Sequence, residues 1–522
     1  MNDSDSADRD SPRNATRRRR VAVVGAGISG LAAAHRLREL DPSVDVVLFE
    51  GRPRAGGVIE TLSADGFLAE LGPDNFITSP ATATDLCGRL GLSEQLITVE
   101  AAAHSAYVVS RGRLVKLPAG FALMAPRRVS TFLASPLLSW PAKLRVLAEP
   151  FVPPRTDDGD ESLADFVRRR LGREAFERLV QPLVAGIYTA DPEKLSMRAA
   201  LRRFYDFERR DGGLLRGLAR ETQSVGLAKD PDGLAAKQRG PRYNLFVSLR
   251  DGLQSLVAAL VSSLPEGALR LDTPVTSISP DLNGNLSQAA TGARWRINWR
   301  CGTEPHEQSA TFDDLLLALP APHCAGLLEN FAPELAGELR QIEYAGAAII
   351  LAGYRREQIS HPLDASGFVV PAIEGRRILA CSFASSKYRG RAPVGETLLR
   401  VFIGGACDPA ALELPDAELR AIVAAELGEL IGLTGEPCFW HVARWPASMP
   451  QYHVCHCDRA ARIATLAAEW PGLALAGNAY QGVGIPACIA SGEGAAEHLL
   501  TCHRATDERQ DSGTLGTAQR VD

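Results

Sequence analysis

The sequence predicts an α/β fold: a Rossmann-like sheet that binds a dinucleotide, a second domain on a mixed sheet, and a helical insert. Three observations carry this reading. Val21–Val24 is a short β-branched run that leads into Gly25-Ala26-Gly27-Ile28-Ser29-Gly30 and then into an Ala- and Leu-rich helical stretch. A second apolar run, residues 44 to 49, ends in Glu50, 20 residues after Gly30. Near the far end, residues 473 to 500 (LALAGNAYQGVGIPACIASGEGAAEHLL) read as strand, glycine-rich turn and helix. At 522 residues the chain exceeds one ordinary core, so two or three domains are expected.

In chain order, residues 1 to 16 are too polar to enter a core and read as a disordered tail. Arg17 to Arg20 followed by an apolar run has the look of a secretory signal. That reading fails, because the run holds three glycines, continues into His35, Arg36, Arg38 and Glu39, and offers no cleavage region. The alternative is a nucleotide fingerprint. Gly25 permits the tight turn, Gly27 admits a pyrophosphate to the backbone, and Gly30 lets helix and strand pack. The helix N-terminus, from Ile28 and Ser29, offers unpaired N–H groups to phosphate, and Glu50 stands where a ribose acceptor belongs.

Composition narrows the rest. Apolar residues make up 45% and charged residues 23%, and the net charge of -5 gives no reason to expect nucleic acid. Ten scattered cysteines read as free thiols of a reducing compartment, which predicts a cytoplasmic protein. No apolar run approaches the ~18 residues of a membrane span, so only peripheral membrane contact stays open. The HVCHC segment, 453 to 457, carries metal-capable side chains. Read as a strand it splits them between two faces, with no second pair nearby, so no metal is expected.

The residues after Glu50 identify the cofactor. Gly51, Arg54 and Gly56-Gly57-Val58 resemble the E-x-x-x-R-x-G-G extension of flavoproteins in the amine oxidase and phytoene desaturase superfamily. Glu70-Leu71-Gly72-Pro73-Asp74-Asn75 resembles the segment that runs beneath the flavin ring there. Val275, in LDTPVTSIS, resembles the valine that touches the adenine end, and DDLLLALPAP at 313 to 322 resembles the run that closes this strand group. Trp445 and the far-end residues Gly477, Asn478, Val483, Gly484 and Ile485 complete the implied flavin contacts. The resemblance implies non-covalent FAD, and an amine-oxidase-type FAD domain assembled from separate pieces.

VAGIYTADPEKLSM at 184 to 197, Gly367-Phe368-Val369-Val370-Pro371, Phe402-Ile403-Gly404-Gly405, Trp445-Pro446 with Met449 to Tyr452, and Gly484-Ile485-Pro486-x-Cys488-Ile489 are similar to the oxygen-dependent protoporphyrinogen and coproporphyrinogen oxidases of haem synthesis. That resemblance covers about residues 20 to 500. It implies a six-electron dehydrogenation of a porphyrinogen, hydride transfer to flavin N5, reoxidation by oxygen to hydrogen peroxide, and no catalytic side chain. Consistently, the chain has no G-x-S-x-G elbow and no H-E-x-x-H. The resemblance points to Gly186, Phe368, Val370 and Phe383 as substrate contacts. An arginine that anchors a propionate in some relatives is missing near Ile77 and Ser93; Arg202, Arg203 or Arg209 of the insert could replace it. Apolar ring contacts and few cations favour the two-propionate protoporphyrinogen over the four-propionate coproporphyrinogen. An amine or carotenoid oxidoreductase on the same scaffold, or a non-catalytic FAD-binding protein, are the rival classes. The expected division is 17–85, 241–320 and 441–501 for the FAD domain, 86–104 and 321–440 for the substrate domain, 105–240 for a helical, membrane-facing insert, and 502–522 for a second disordered tail. Oligomeric state does not follow from the sequence.

Overall fold

In the computed structural model, residues 18–227, 246–281, 294–302 and 306–515 are described. Five parallel strands form one sheet in the spatial order Leu269–Arg270, Asp45–Phe49, Arg20–Val24, Asp314–Leu317 and Leu473–Leu475. Parallel strands need crossovers on both faces, and burial on both faces explains the unbroken apolar runs. Val21, Val23, Val46, Leu48 and Leu316 face the first helix (Ile28–Leu40) and the last helix (Ile485–Leu515). Ala22, Val24, Val47, Phe49, Leu315 and Leu317 pack on the other side, in one core with residues of helices Ala321–Leu328, Pro333–Arg340 and His456–Ala468.

Val275–Asp281 does not join this sheet. It pairs antiparallel with Arg294–Trp299, which pairs in turn with Gln308–Phe312. A second large sheet has seven strands in the order Phe439–Pro450, Tyr344–Arg355, Glu396–Gly404, Ala380–Phe383, Gly367–Val369, Tyr107–Ser110 and Arg113–Lys116. All neighbours are antiparallel except Gly367–Val369 with Tyr107–Ser110. The helix Asp416–Ile431 covers one face with Leu419, Val423, Leu427 and Leu430.

Several boundaries differ from the sequence reading. Phe439–Pro450 belongs to the mixed sheet, because nine of its residues pair with Tyr344–Arg355, a long-range match that no local signal announces. Tyr107–Lys116 is a hairpin at the opposite edge of that sheet, not part of the helical insert. Its turn residues Arg111 and Gly112 both have positive φ, +53° and +72°, as a type I′ turn requires, but Arg-Gly is a weaker hairpin signal than Asn-Gly. Leu96–Thr98 pairs with Phe246–Leu249, so part of 86–104 packs with the nucleotide-binding region. The HVCHC segment is not a strand. Cys455 turns left-handed at φ +70° and a helix begins at His456, whose buried ring stacks on Tyr452 at 3.9 Å and 13°. The backbone of 502–515, expected as a tail, continues the last helix because no proline interrupts it; residues 1–17 and 516–522 lie outside the described residues.

Between Leu163 and Leu227 the insert is mostly helical, with a π-helical turn at Phe176–Val180 and a non-helical stretch at 189–196. Its interior holds a fully buried arginine. Arg170 donates to Glu149 at 2.6 Å and to Glu208 at 2.8 Å, and reaches the carbonyls of Val152 and Gly212. Glu149 also accepts the N–H groups of Leu214 and Leu215, capping the helix that starts there. Burial opposes the charge on Glu208, but Arg169 and Arg170 hold its carboxyl below the usual range. On its surface the insert region exposes Val129, Trp140, Leu144 and Phe151. Among the described residues no helix is long and apolar enough to cross a membrane.

Two outcomes are expected. Arg170→Met leaves Glu149 buried without its cation and Glu208 with Arg169 alone, and costs about 3–5 kcal/mol in urea unfolding, whereas Arg173→Met, on the exposed i,i+4 pair with Glu177, costs under ~0.5 kcal/mol. His456 gives the second: burial pushes its imidazole down to about 4. Between that value and the ordinary ~6.5 the unfolded chain binds a proton that the folded chain refuses, so stability falls as pH drops through this window, by up to about 3 kcal/mol. A pH series of melting curves for His456→Phe should lose that slope.

Candidate functional site

The N-terminal fingerprint is built by backbone crowding. Gly25 has φ +101°, its N–H donates to Phe49 C=O at 2.7 Å, and a Cβ there would meet Ala318 O at 2.5 Å. A Cβ on Gly30 would lie 1.9 Å from Gly25 O, so the helix can sit this close to the turn only with glycine. Gly27 is different: no protein atom lies within 4 Å of a Cβ placed there. Beside it, Gly56 donates to Ala26 C=O and Gly57 approaches the Gly27 Cα, closing the second side of the turn. Ala26 and Ser29 are buried, while Ile28 is half-buried at the mouth.

Glu50 stands at the end of its strand with one carboxylate oxygen 2.8 Å from the Ala26 N–H and the other 3.0 Å from the Arg52 N–H. The same carboxylate that would meet a ribose thus also orients the fingerprint. Gly51 packs against Pro274, which puts Val275 next to this end. Arg54 is engaged within its own loop. Its guanidinium pairs with Glu60 and donates to the carbonyls of Ala55, Gly57 and Ile59, so it holds the loop in shape. Val58, in that loop, is an exposed aliphatic side chain.

Gly72 is pressed onto Val58, with 1.9 Å from a notional Cβ to Val58 O. The mixed sheet grips this segment: Trp445 Nε1 donates to Leu71 C=O at 2.6 Å and Arg400 donates to Gly72 C=O. Beyond Pro73, Asp74 meets Lys387 and Arg400, each at 3.0 Å, and Asn75 donates to Asp74. Burial opposes the Asp74 charge, yet the two cations hold its carboxyl well below the usual range. Glu70, also buried, is pushed up; it accepts from Leu253 N–H and Thr61 Oγ1, with Arg391 3.9 Å away. These three cations were missed at the sequence level, since Lys387, Arg391 and Arg400 lie more than 300 residues from Glu70 and no spacing signals them.

At the far end the last helix begins at Ile485. Gly477, at φ +133°, donates to Ser491 Oγ, and Asn478 Nδ2 donates to Ser448 C=O. Gly484 is exposed and open: the nearest protein atom to a Cβ there is Pro486 Cδ at 3.8 Å. Gly492 is closed, because a Cβ would strike Ser29 O at 2.1 Å. Ser29 therefore touches Gly492, and Arg36 pairs with Glu497, so first and last helices run parallel. At 1.5 Å per residue their N-termini stand about 10 Å apart along this direction. Two helix N-termini thus face one edge of the parallel sheet, each offering N–H donors and a positive dipole end.

Gly27 and Gly484 test whether a dinucleotide fits. Neither has a positive φ, and neither is crowded by protein, so nothing in the chain itself requires glycine there. A ligand passing against the backbone would account for glycine at both. Gly27 and Glu50 would hold the phosphate and ribose, and Gly484 with Ile485 the ring end. Surface recesses of about 670 Å³ beside Arg355 and Glu396 and about 300 Å³ beside Arg18 and Arg38 touch none of these residues.

The substrate contacts need correction. Phe368, Val370 and Phe383 are 2%, 5% and 0% exposed and lie in the core beneath the helix Asp416–Ile431; Phe368 and Phe383 meet edge to face at 6.0 Å. Strand residues alternate between faces, so choosing 368 and 370 chose the wrong side. Val369 points the other way, with Cγ1 3.6 Å from a Cβ on the exposed Gly186. Val369, Tyr188 and Val483 all lean on the insert's core, which brings the sheet, the insert and the far-end loop together. Arg202, Arg203 and Arg209 are spent on surface pairs with Asp206, Glu221 and Asp158 and do not join this group.

Comparison with known proteins agrees with this geometry. The family model of flavin containing amine oxidoreductases matches residues 28–500. The chain is 31% identical to the coproporphyrinogen III oxidase of Bacillus subtilis over 93% of its length and 98% of the relative's. It is 28% identical to the mitochondrial protoporphyrinogen oxidase of Nicotiana tabacum, covering 92% and 95%. A crystal structure from Exiguobacterium sp. 255-15 that bears the name protoporphyrinogen oxidase provisionally superposes with a TM-score of 0.77 at 30% identity, over 92% of this chain and 98% of that one. Sharing both the fold and nearly its whole length with these proteins, the chain belongs to the flavin containing amine oxidoreductase family and is a flavin-dependent oxidoreductase.

Proposed function

We propose that the chain holds FAD without a covalent link and uses it, with oxygen, to dehydrogenate a porphyrinogen: porphyrinogen and three oxygen molecules give porphyrin and three hydrogen peroxide. The observation that carries this reading is the pair of open glycines, Gly27 and Gly484, at two parallel helix N-termini, in a chain similar over nearly its whole length to a coproporphyrinogen III oxidase. When bound, the flavin supplies the acceptor for hydride and passes electrons to oxygen; the protein supplies orientation and a dry surface. Glu50 and Ala26 place the ribose end. The Gly484–Ile485 terminus directs N–H groups toward the part of the ring where negative charge grows on reduction. Gly186, Val369 and Val483 border the space in front of it and present backbone and aliphatic surface to a flat macrocycle.

Of the two porphyrinogens, the four-propionate one is favoured. The argument for two propionates rested on the missing arginine near Ile77 and Ser93 and on Phe368, Val370 and Phe383, and these three lie in the core. The B. subtilis relative bears the coproporphyrinogen name; the tobacco relative supports protoporphyrinogen as the second reading.

Purified protein should be yellow, release FAD on acid denaturation and produce porphyrin fluorescence and peroxide aerobically. Glu50→Ala should weaken FAD binding by about 1–3 kcal/mol in a titration of apoprotein, since it strips a ribose acceptor and unpairs the Ala26 and Arg52 N–H groups. A colourless wild type that stays inactive with added FAD ends the proposal. For the substrate, kcat/KM should be at least ~10-fold higher with coproporphyrinogen III than with protoporphyrinogen IX, and the reverse order restores the two-propionate reading.

A further inference from the structure

Tyr452 sits where three parts of the molecule meet. It follows the long edge strand Phe439–Pro450 of the mixed sheet, and the preceding Gln451 N–H donates to Glu343 C=O at 2.8 Å. Its own carbonyl accepts the Ser196 N–H of the insert at 2.7 Å, and its side chain packs into the insert's apolar core. The hydroxyl leaves that core to reach the far-end loop. It donates to Asn478 C=O at 2.6 Å and accepts the Gly482 N–H at 2.8 Å.

These two bonds span the loop just before the last helix. Gly482 has φ +153° and Gly477 φ +133°, so the loop is held in backbone states that only glycine adopts readily. Between them, Tyr480 C=O accepts from His456 Nε2 at 3.2 Å, and the His456 ring lies flat on the Tyr452 ring, 3.9 Å between centroids. Both rings are buried. Burial raises the phenol of Tyr452, so its hydroxyl keeps its proton, and lowers the imidazole of His456. The loop thus rests on a neutral two-ring stack: Tyr452 packs in the insert's core, and His456 opens the helix His456–Ala468, which packs on the parallel sheet.

We infer that Tyr452 is a positioning residue for the flavin: its hydroxyl, fixed by the stack with His456, sets the height of residues 478–484 and so aims the N–H groups at Gly484 and Ile485 toward the ring. This rests on the reading that the ring lies against that helix N-terminus. It also gives the insert and the mixed sheet a mechanical hold on the cofactor, because one residue joins them to the loop: the Tyr452 carbonyl accepts from Ser196 of the insert and its hydroxyl bonds Asn478 and Gly482. Any shift of the insert against the sheet is passed to the loop without a charged group taking part.

The test compares Tyr452→Phe with wild type by three readouts on purified protein: FAD dissociation constant by titration of apoprotein, midpoint potential of bound FAD by dye-coupled reduction, and melting temperature of apoprotein. Phenylalanine keeps the ring and its stacking and removes only the hydroxyl. The expected result is FAD binding about tenfold weaker and a more negative midpoint potential, because the helix N-terminus is no longer held against the charge that appears on reduction. An unchanged dissociation constant and potential, whatever happens to the melting temperature, overturns the inference and leaves Tyr452 a packing residue. A wild type that binds no FAD overturns the proposed function instead. Should Tyr452→Phe fail to fold, His456→Phe decides: it keeps a flat ring on Tyr452, removes only the N–H to Tyr480, and should move binding and potential in the same direction by a smaller factor.

Discussion

The architecture depends on direct backbone contact at two glycines. Gly30 lets the first helix rest on the carbonyl of Gly25, and Gly492 lets the last helix rest on the carbonyl of Ser29. Each contact leaves less than 2.2 Å for a Cβ, so no other residue fits without separating the elements. Through them the two helices are locked to each other and to the turn between the first strand and helix. Their N-termini then point at one edge of the sheet with a fixed offset. The proposed flavin site uses that offset, with donors for phosphate at one end and donors for the ring at the other.

The mixed sheet contributes in a different way. It brings no glycine and no phosphate donor, but it holds the segment that passes between the two ends. Trp445 and Arg400 hold the carbonyls of Leu71 and Gly72, and Tyr452 holds Asn478 and Gly482. In each case a side chain from the sheet binds main chain at the site, so the sheet's position decides the site's geometry. The cations Lys387, Arg391 and Arg400 reach the same segment and meet two carboxylates with opposite fates: two cations touch Asp74 and hold its carboxyl down against burial, while burial pushes Glu70 up, with its nearest cation 3.9 Å away. In the insert the buried charge is satisfied internally, with Arg170 held by two carboxylates and backbone carbonyls.

Local chemistry made much of this legible. A β-branched run, a glycine turn and an amphipathic stretch specify strand, loop and helix within a few residues of one another, and Val21–Val24, Ile28–Leu40 and Leu473–Leu475 lie where that pattern puts them. Glu50 was readable for the same reason: its distance from the fingerprint is set by one helix and one strand. Arg54 was readable as an arginine beside the cofactor but not as a clamp on its own loop, since its partners Glu60 and the carbonyls of Ala55, Gly57 and Ile59 depend on how the loop closes.

What the sequence by itself determined is the strand–turn–helix with its facing Glu50, because these glycines and this carboxylate act through contacts made within short stretches or with strands of predictable pairing. The tertiary structure decided the rest. Which face of Gly367–Val369 looks toward the site depends on what covers the sheet, so Val369 stands there and Phe368 does not. Phe439–Pro450 joined the mixed sheet because Tyr344–Arg355 was there to pair with. The cations under the ring segment, and the Tyr452–His456 stack beneath the far-end loop, come from residues hundreds of positions away or from a helix start that reads as a strand. Spacing along the chain carries no record of such meetings; they arise from packing two sheets and an insert around one edge.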